Sequence, residues 1–342
     1  MKHDFHETHQ VGYFFIVMAA VIIVLGGIKV ASTIVVPLLL SMFIAIIFAP
    51  MYLWLNSKKI PEGISLLLVI MLFLVVAGLL GALIGSSVQD FSAALPQYEM
   101  KLTEQLNGAF VFLESIGVDL PQDDFAAIFN PNVMMKFAAG TLQSLGGMFA
   151  NGLVILFTVM FMLLESSQFA HKIEHINGNM ESMRHIKMVV SKIKHYMVLK
   201  TVISAGTGVV VAIMLMIVGV DYPILWGVVA FMLNFIPNIG SLIAAVPAVL
   251  LTLIQFSPIT ALIVGIGYVA INVVIGSVIE PKVMGKGLGL STLVVFLSLI
   301  FWGWLLGSVG MLLSIPLTIM VKIILDSQEN TRWIAVLLGE EK

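Results

Sequence analysis

The residues of this sequence best suited to chemistry lie inside an apolar block. There Asn234 is followed by Pro237-Asn238-Ile239-Gly240-Ser241. Proline has no N–H and disrupts the helix behind it, and glycine lets backbones approach closely. Irregular backbone within a bilayer survives only where protein buries it or where it lines a water-filled cavity. Broken helices offer polar backbone groups to a solute, so this break is a candidate binding or permeation site. The same pattern also makes a structural turn at a hairpin tip, and the two readings are compatible. Glu280-Pro281, with Gly285 closing the motif, is a second candidate. A carboxylate at the end of a span can contact a cavity, carry a proton, pair with Lys282 or Lys286, or sit in an interfacial loop. Asn272 and Ser277 precede it on the same span, where polar residues join helices to one another or contact solute. Gly303, Gly307, Gly310 and Pro316 read as packing elements.

Enzymatic and cofactor chemistry finds little support. The chain has no cysteine, which excludes disulfides, thiol catalysis and cysteine-held metals. Gly285-Lys286-Gly287 lacks the upstream glycine and the Ser or Thr of a P-loop. His3, His6 and His9 form one histidine group, and His171, His175, His185 and His195 another. No glutamate stands between His171 and His175 in the order a zinc protease uses, so no metal site is expected. Nothing resembles a nucleic-acid signature, and the basic residues are scattered among short loops.

The elements that must position these residues are membrane helices. Of 342 residues, 60% are hydrophobic and 11% charged, and mean hydropathy is +1.08. Soluble chains carry about 25% charged residues, so lipid must cover much of this one. Spans need about 20 apolar residues. They are expected at 12–28, 30–55 and 64–84, with Lys29 and Ser32 marking a tight turn and Gly81 and Gly85 a close-packing edge. Residues 1–85 thus hold a polar tail and three spans, the first uncleaved. Residues 86–146 are acidic and read as an extramembranous helical domain, broken at Pro96 and near 117–121, with Asn130-Pro131 opening a helix. A fourth span occupies 147–170. Residues 171–200 form a basic amphipathic helix, 201–325 a core of spans with broken helices, and 326–342 a tail. The class is an all-α polytopic membrane protein of about eight transmembrane segments, some broken or re-entrant. The blocks 224–255 and 290–325 would each be roughly 50 Å long as straight helix. That is too long for one upright span and short for two, so each is a re-entrant hairpin or a tight pair.

Orientation follows from Lys and Arg. With the N-terminus inside, 14 of the 17 basic residues face the cytoplasm, and only Lys29, Lys101 and Lys136 lie outside. Both termini are therefore expected inside and the acidic 86–146 domain outside. Span centres hold almost no ionisable residues, which pumps normally need, so a neutral polar solute is favoured.

The motifs Pro237-Asn238-Ile239-Gly240 and Glu280-Pro281-Lys282-Val283-Met284-Gly285 come first in a longer pattern. Gly287-Leu288-Gly289-Leu290-Ser291-Thr292, Phe301-Trp302-Gly303-Trp304 and Ile315-Pro316-Leu317 complete it. Together with His195-Tyr196 and Leu199-Lys200-Thr201, they resemble the autoinducer-2 exporter (AI-2E) family over nearly the full length. The resemblance implies a homo-oligomeric transporter of a bacterial inner membrane. It would export the small, neutral, hydroxylated quorum-sensing signal autoinducer-2 and so affect biofilm and motility. It places Pro237, Gly240, Glu280, Pro281, Gly285, Gly310 and Pro316 at the family's characteristic positions. A rival from the same family is monovalent cation/proton antiport through Glu280, and a rival of another class is a non-transporting scaffold working through 86–146.

Overall fold

The computed structural model describes residues 4–115, 117, 131–147, 152–175, 180–237, 239–284 and 289–339, and among them there is no strand. The protein is all-α and polytopic, as its composition requires. Helix α1 (Asp4–Val30) meets α2 (Ser32–Ser57) through a one-residue joint at Ala31. The Ala31 N–H still bonds Gly27 O, and Ala31 O accepts from Ile34 and Val35. After Lys59, in the left-handed region at φ 63°, α3 runs from Glu62 to Ser115. At 1.5 Å per residue it is roughly 80 Å long, far more than a bilayer needs. The break expected at Pro96 is absent, because α3 continues through it. The carbonyl that Pro96 leaves without its usual donor belongs to Ser92, which is exposed.

Pro131 opens α4 (Pro131–Gly147), the position where a missing N–H costs nothing. Asn130 and 118–121 lie outside the described residues. Helix α5 (Gly152–His175) packs on α2, where buried Ser41 donates to Pro37 O at 2.6 Å and to Ile155 O at 3.4 Å.

Helix α6 (Met180–Val218) is continuous, so position 200 is not a boundary but lies within a rod. Its apolar part, Ser191–Val218, is one of five helices among the described residues long and apolar enough to cross a membrane. The others include α2, most of α3, and α9 with its continuation. Large apolar side chains stand uncovered along them, such as Ile217 at 81% and Ile259 at 72% exposure, as a lipid-facing surface demands. The glycines expected to form a close-packing edge on α3, Gly81 and Gly85, face open space within the chain.

Two hairpins fill the core. The first is α7 (Pro223–Leu233) and α8 (Gly240–Gln255), of 11 and 16 residues. These arms are about 16 and 24 Å long. Both ends are held together, since Asp221 N donates to Gln255 Oε1 at 3.0 Å and Gln255 Nε2 donates to Asp221 Oδ2. Arms shorter than a hydrocarbon core of ~30 Å, closed at a common base, have the form of a re-entrant hairpin. Helix α3 and α4 pack on it, with Phe91 edge-on to Trp226 at 6.1 Å and Tyr98 OH donating to Asp221 Oδ2 at 3.5 Å. At this base burial raises the Tyr222 pKa, with the Asp90 and Asp221 carboxylates adding to it.

The chain returns through α9 (Pro258–Asn272), a π-helical segment (Val273–Ile279) and α10 (Glu280–Met284). Ser257 caps α9 by accepting from Thr260 N at 3.3 Å, with Pro258 in the first turn. The second hairpin is α11 (Thr292–Leu312) and α12 (Ser314–Asp326), followed by α13 (Arg332–Leu337). Its base is tied by Ser291 N to Leu338 O at 3.3 Å and by Lys322 Nζ to Gly289 O. Helix α11 breaks at Gly307 (φ 69°, ψ −150°), a region that essentially only glycine occupies. A Cβ on Gly310 would lie 2.0 Å from Trp302 O, and one on Gly303 2.7 Å from Met311 Cγ, so these glycines build the turn. Pro316 is buried in α12. Trp302 Nε1 donates to Thr318 Oγ1 at 2.9 Å across the arms. Both blocks fold back on themselves; the arms of the first are each shorter than a hydrocarbon core, whereas α11, with 21 residues, is itself long and apolar enough to cross a membrane.

Candidate functional site

The site is built on α6. Its buried positions recur as Ile193, Tyr196, Lys200, Ser204, Thr207, Val211 and Leu215. That is the face a rod with 3.6 residues per turn turns inward. Four consecutive members of the stripe are polar, within an otherwise apolar span. Helix α7 packs antiparallel along one side of it. Gly208 and Gly227 allow near-contact of the two backbones, since a Cβ on Gly208 would come 2.5 Å from Gly227 O. On the other side lies α9 and its continuation, also antiparallel. Gly267 abuts Met214 near one end of α6, and Glu280 meets Lys200 near the other.

The broken tip of the first hairpin lands on this stripe. Asn234, at the end of α7, donates from Nδ2 to Ser204 Oγ at 2.9 Å. The turn then tightens through Ile236 N to Leu233 O at 2.8 Å and Ile239 N to Pro237 O at 2.6 Å. Gly240 starts α8 so close to α7 that a Cβ would lie 1.8 Å from Leu233 O, and no other residue type fits. Pro237, with no N–H, cannot extend the α7 ladder. Ser241 Oγ is shielded from solvent with no hydrogen-bond partner among the described residues. Asn238 lies outside the described residues.

One helical turn along α6 from Ser204, about 6 Å away, Lys200 Nζ donates to Glu280 Oε1 at 2.6 Å. Lys200 is 3% exposed and follows shortly after Lys194-His195, where the basic run of α6 gives way to its apolar part. This corrects one expectation. Glu280 pairs with Lys200 and not with Lys282, which is exposed, while Lys286 and Gly285 lie outside the described residues. The two charges stand away from the centres of their spans and neutralise each other, which makes their burial tolerable. One turn further on, Tyr196 is buried at 3% exposure with its hydroxyl unpartnered among the described residues.

Among the other residues singled out, Asn272 ends α9 half-buried, immediately before the π-helical segment. Ser277 and Pro281 are exposed and face away from the stripe. The structure therefore brings together Asn234, Pro237, Gly240, Ser241 and Glu280, and leaves Ser277 and Pro281 apart. It adds Tyr196, Lys200, Ser204 and Thr207, which the sequence reading did not single out as site residues. Their signal is a polar residue every fourth position through an apolar helix, and the run of basic residues before Lys200 hides it.

Chemically the site offers hydroxyl, amide and compensated charges within a membrane helix bundle, groups that exchange hydrogen bonds with a polar solute. The two hairpin tips lie near one another. Phe235, from the first tip, packs against the cluster that holds Leu305, Leu306, Val309 and Leu313 of the second hairpin. Met311 and Leu312 pack against the cluster that holds α7 and α8.

Comparison with known proteins places this architecture among transporters. The sequence model of the AI-2E family transporter matches residues 14–330. The AI-2 transport protein TqsA of Escherichia coli K12 is 40% identical over 326 residues, covering 95% of each chain. A Haemophilus influenzae protein whose name proposes transport without giving a solute is 41% identical over 330 residues, 94% of this chain and 95% of its own. YhhT of E. coli K12, named in the same way, is 33% identical over 323 residues, 94% and 93% of the two chains.

Proposed function

Since this chain belongs to the AI-2E transporter family, we propose that it exports a small neutral hydroxylated signal, autoinducer-2, from the cytoplasm of a bacterial cell across the inner membrane. The coarser statement, that it is a membrane transporter and not an enzyme, follows from the family. The observation that carries the finer one is the broken hairpin tip seated on the polar stripe of α6, where Asn234 bonds Ser204. A solute with several hydroxyls replaces such bonds one for one as it passes. This limits the desolvation cost of crossing, which for an unpaired hydroxyl in an apolar medium is about 2–7 kcal/mol. TqsA, named for AI-2 transport, supports the choice of solute.

In this reading the chain works as a homo-oligomer in the inner membrane, with both termini and the basic 171–200 segment in the cytoplasm and the acidic 86–146 domain outside. The 14-to-3 distribution of basic residues supports that orientation. Export lowers cytoplasmic signal and thereby acts on quorum sensing and biofilm formation. Proteoliposomes loaded with autoinducer-2 test the proposal, because the purified protein then accelerates efflux over empty vesicles. Efflux at the empty-vesicle rate refutes it. Reporter fusions in 86–146 and 171–200 test orientation, and signals from one compartment refute that part.

A second reading, monovalent cation/proton antiport, is favoured by one observation: Glu280 is a carboxylate within the membrane region. A Glu280→Gln variant that still transports with an unaltered pH dependence removes it.

A further inference from the structure

We propose that Lys200 and Glu280 form a latch that closes the tip of the first hairpin from the α10 end of the bundle, with the π-helical segment as its hinge. The proposal rests on the reading of that tip as the solute route.

Three features converge there. First, the Lys200–Glu280 contact at 2.6 Å ties α6 to α10 one helical turn from the Ser204–Asn234 bond, so the pair stands beside the tip on the same face of α6. Second, the seven residues Val273–Ile279 directly before Glu280 are π-helical, and none of them is buried. Local π geometry inside α-helices marks functional sites, and its wider turns hold hydrogen bonds less regularly than α-helix does. Gly276 in the middle of this segment adds backbone freedom. A stretch without buried side chains has no packing to resist bending. Third, α10 is five residues long and packs against α6, where the ion pair holds it. In this proposal the irregular segment bends and α10 moves with it when the charged pair opens. Tyr196, one turn beyond Lys200 and also buried with its hydroxyl unpartnered among the described residues, lies on the same stripe. As Glu280 moves away, this unpartnered hydroxyl gives a passing hydroxylated solute a second partner on the same stripe.

The absence of cysteine makes the test direct, because one introduced thiol is unique in the chain. Ser241→Cys places it at the hairpin tip, and Ser241 Oγ has no partner among the described residues to lose. The measurement is the rate of labelling by a membrane-impermeant maleimide applied from the α10 side, in proteoliposomes whose protein elutes from size exclusion as the parent does. The closed pair protects the thiol. Glu280→Gln and Lys200→Met each raise the labelling rate at least about tenfold, the effect of ~1.4 kcal/mol of lost coupling. The exchanged pair, Lys200→Glu with Glu280→Lys, restores protection and shows that pairing matters and not either residue alone. Single variants that label at the parental rate overturn the latch, as does an exchanged pair that labels as fast as the singles. Solute efflux from the same vesicles separates the two levels. Altered protection with no flux in any variant sustains the latch and removes the route.

Discussion

Removing one member of the Lys200–Glu280 pair should destabilise the protein far more than removing both. At 2.6 Å and an effective dielectric near 20, the Coulomb attraction is about 6 kcal/mol. Part of that offsets the cost of taking both charges out of water. Glu280 retains 21% side-chain exposure, whereas Lys200 has 4%, so the ammonium bears most of the burial. Glu280→Gln leaves that ammonium without a countercharge, and Lys200→Met leaves a carboxylate in largely apolar surroundings. Each single variant is expected to lose ~3–5 kcal/mol, whereas a buried pair replaced at both ends is often neutral in stability. The double variant Lys200→Met/Glu280→Gln therefore recovers most of the loss. Unfolding in mixed micelles, followed by the fluorescence of the five tryptophans, gives the four corners of the cycle. If the double variant loses the sum of the two singles within ~0.5 kcal/mol, the residues act independently. The pair then carries none of the role assigned to it.

Four further outcomes follow from the geometry of the close contacts. Gly240→Ala sets a Cβ 1.8 Å from the Leu233 carbonyl, which is backbone and cannot rotate away. It should cost at least ~1–3 kcal/mol in the same unfolding assay. Gly265→Ala, with its Cβ 3.8 Å from Val249 Cγ2, should stay within ~0.5 kcal/mol of the parent. Gly307→Ala meets no atom within 4 Å, yet it forces alanine to φ 69°, ψ −150°. A loss of ~1–3 kcal/mol there would be pure backbone strain, and parental stability would show that the turn relaxes freely. Asn234→Leu and Ser204→Ala each delete the bond between the tip and α6, worth ~0.5–1.5 kcal/mol, and should slow efflux by up to about tenfold. The double variant should be no slower than the worse single, and additive slowing would show that the two side chains do not act through one bond.

Much of this arrangement was legible in the sequence because it depends on lengths and local chemistry. Apolar runs of bilayer length marked the spans, Pro131 marked a helix start, and Pro237 with Gly240 marked the break. What was not legible depends on distance along the chain. That the two ends of 224–255 meet is fixed by Asp221 contacting Gln255 across 34 positions. Local pattern carries no trace of that contact. Lys200 follows five other basic residues and reads as the last of a solvated face, because its partner lies 80 positions away. Pro96 looks like a breaker, yet the carbonyl it strands belongs to exposed Ser92 and is not locked in the protein core, and the helix continues through it.

The buried pair bears on cargo as well as on stability. A lone ammonium on α6 would favour an anion and reject a neutral solute through the desolvation its own exposure requires. With Glu280 in contact, the charge of Lys200 is compensated, so the polar stripe from Tyr196 to Thr207 presents hydroxyls and a neutralised ammonium to the hairpin tip and no net charge. In the proposed route a neutral polyhydroxylated molecule meets partners there without having to shed or acquire charge. The expectation of a neutral solute rests on span centres nearly empty of ionisable residues, and a balanced pair away from those centres leaves it standing. The balance holds only while the two residues touch. When they part, the same stripe becomes cationic on one wall and anionic on the other, so the open state differs electrostatically from the closed one. Salt concentration should therefore act on the opening step more than on solute binding to the closed form. Measuring efflux across a range of ionic strength, with the exchanged pair as control, separates the two.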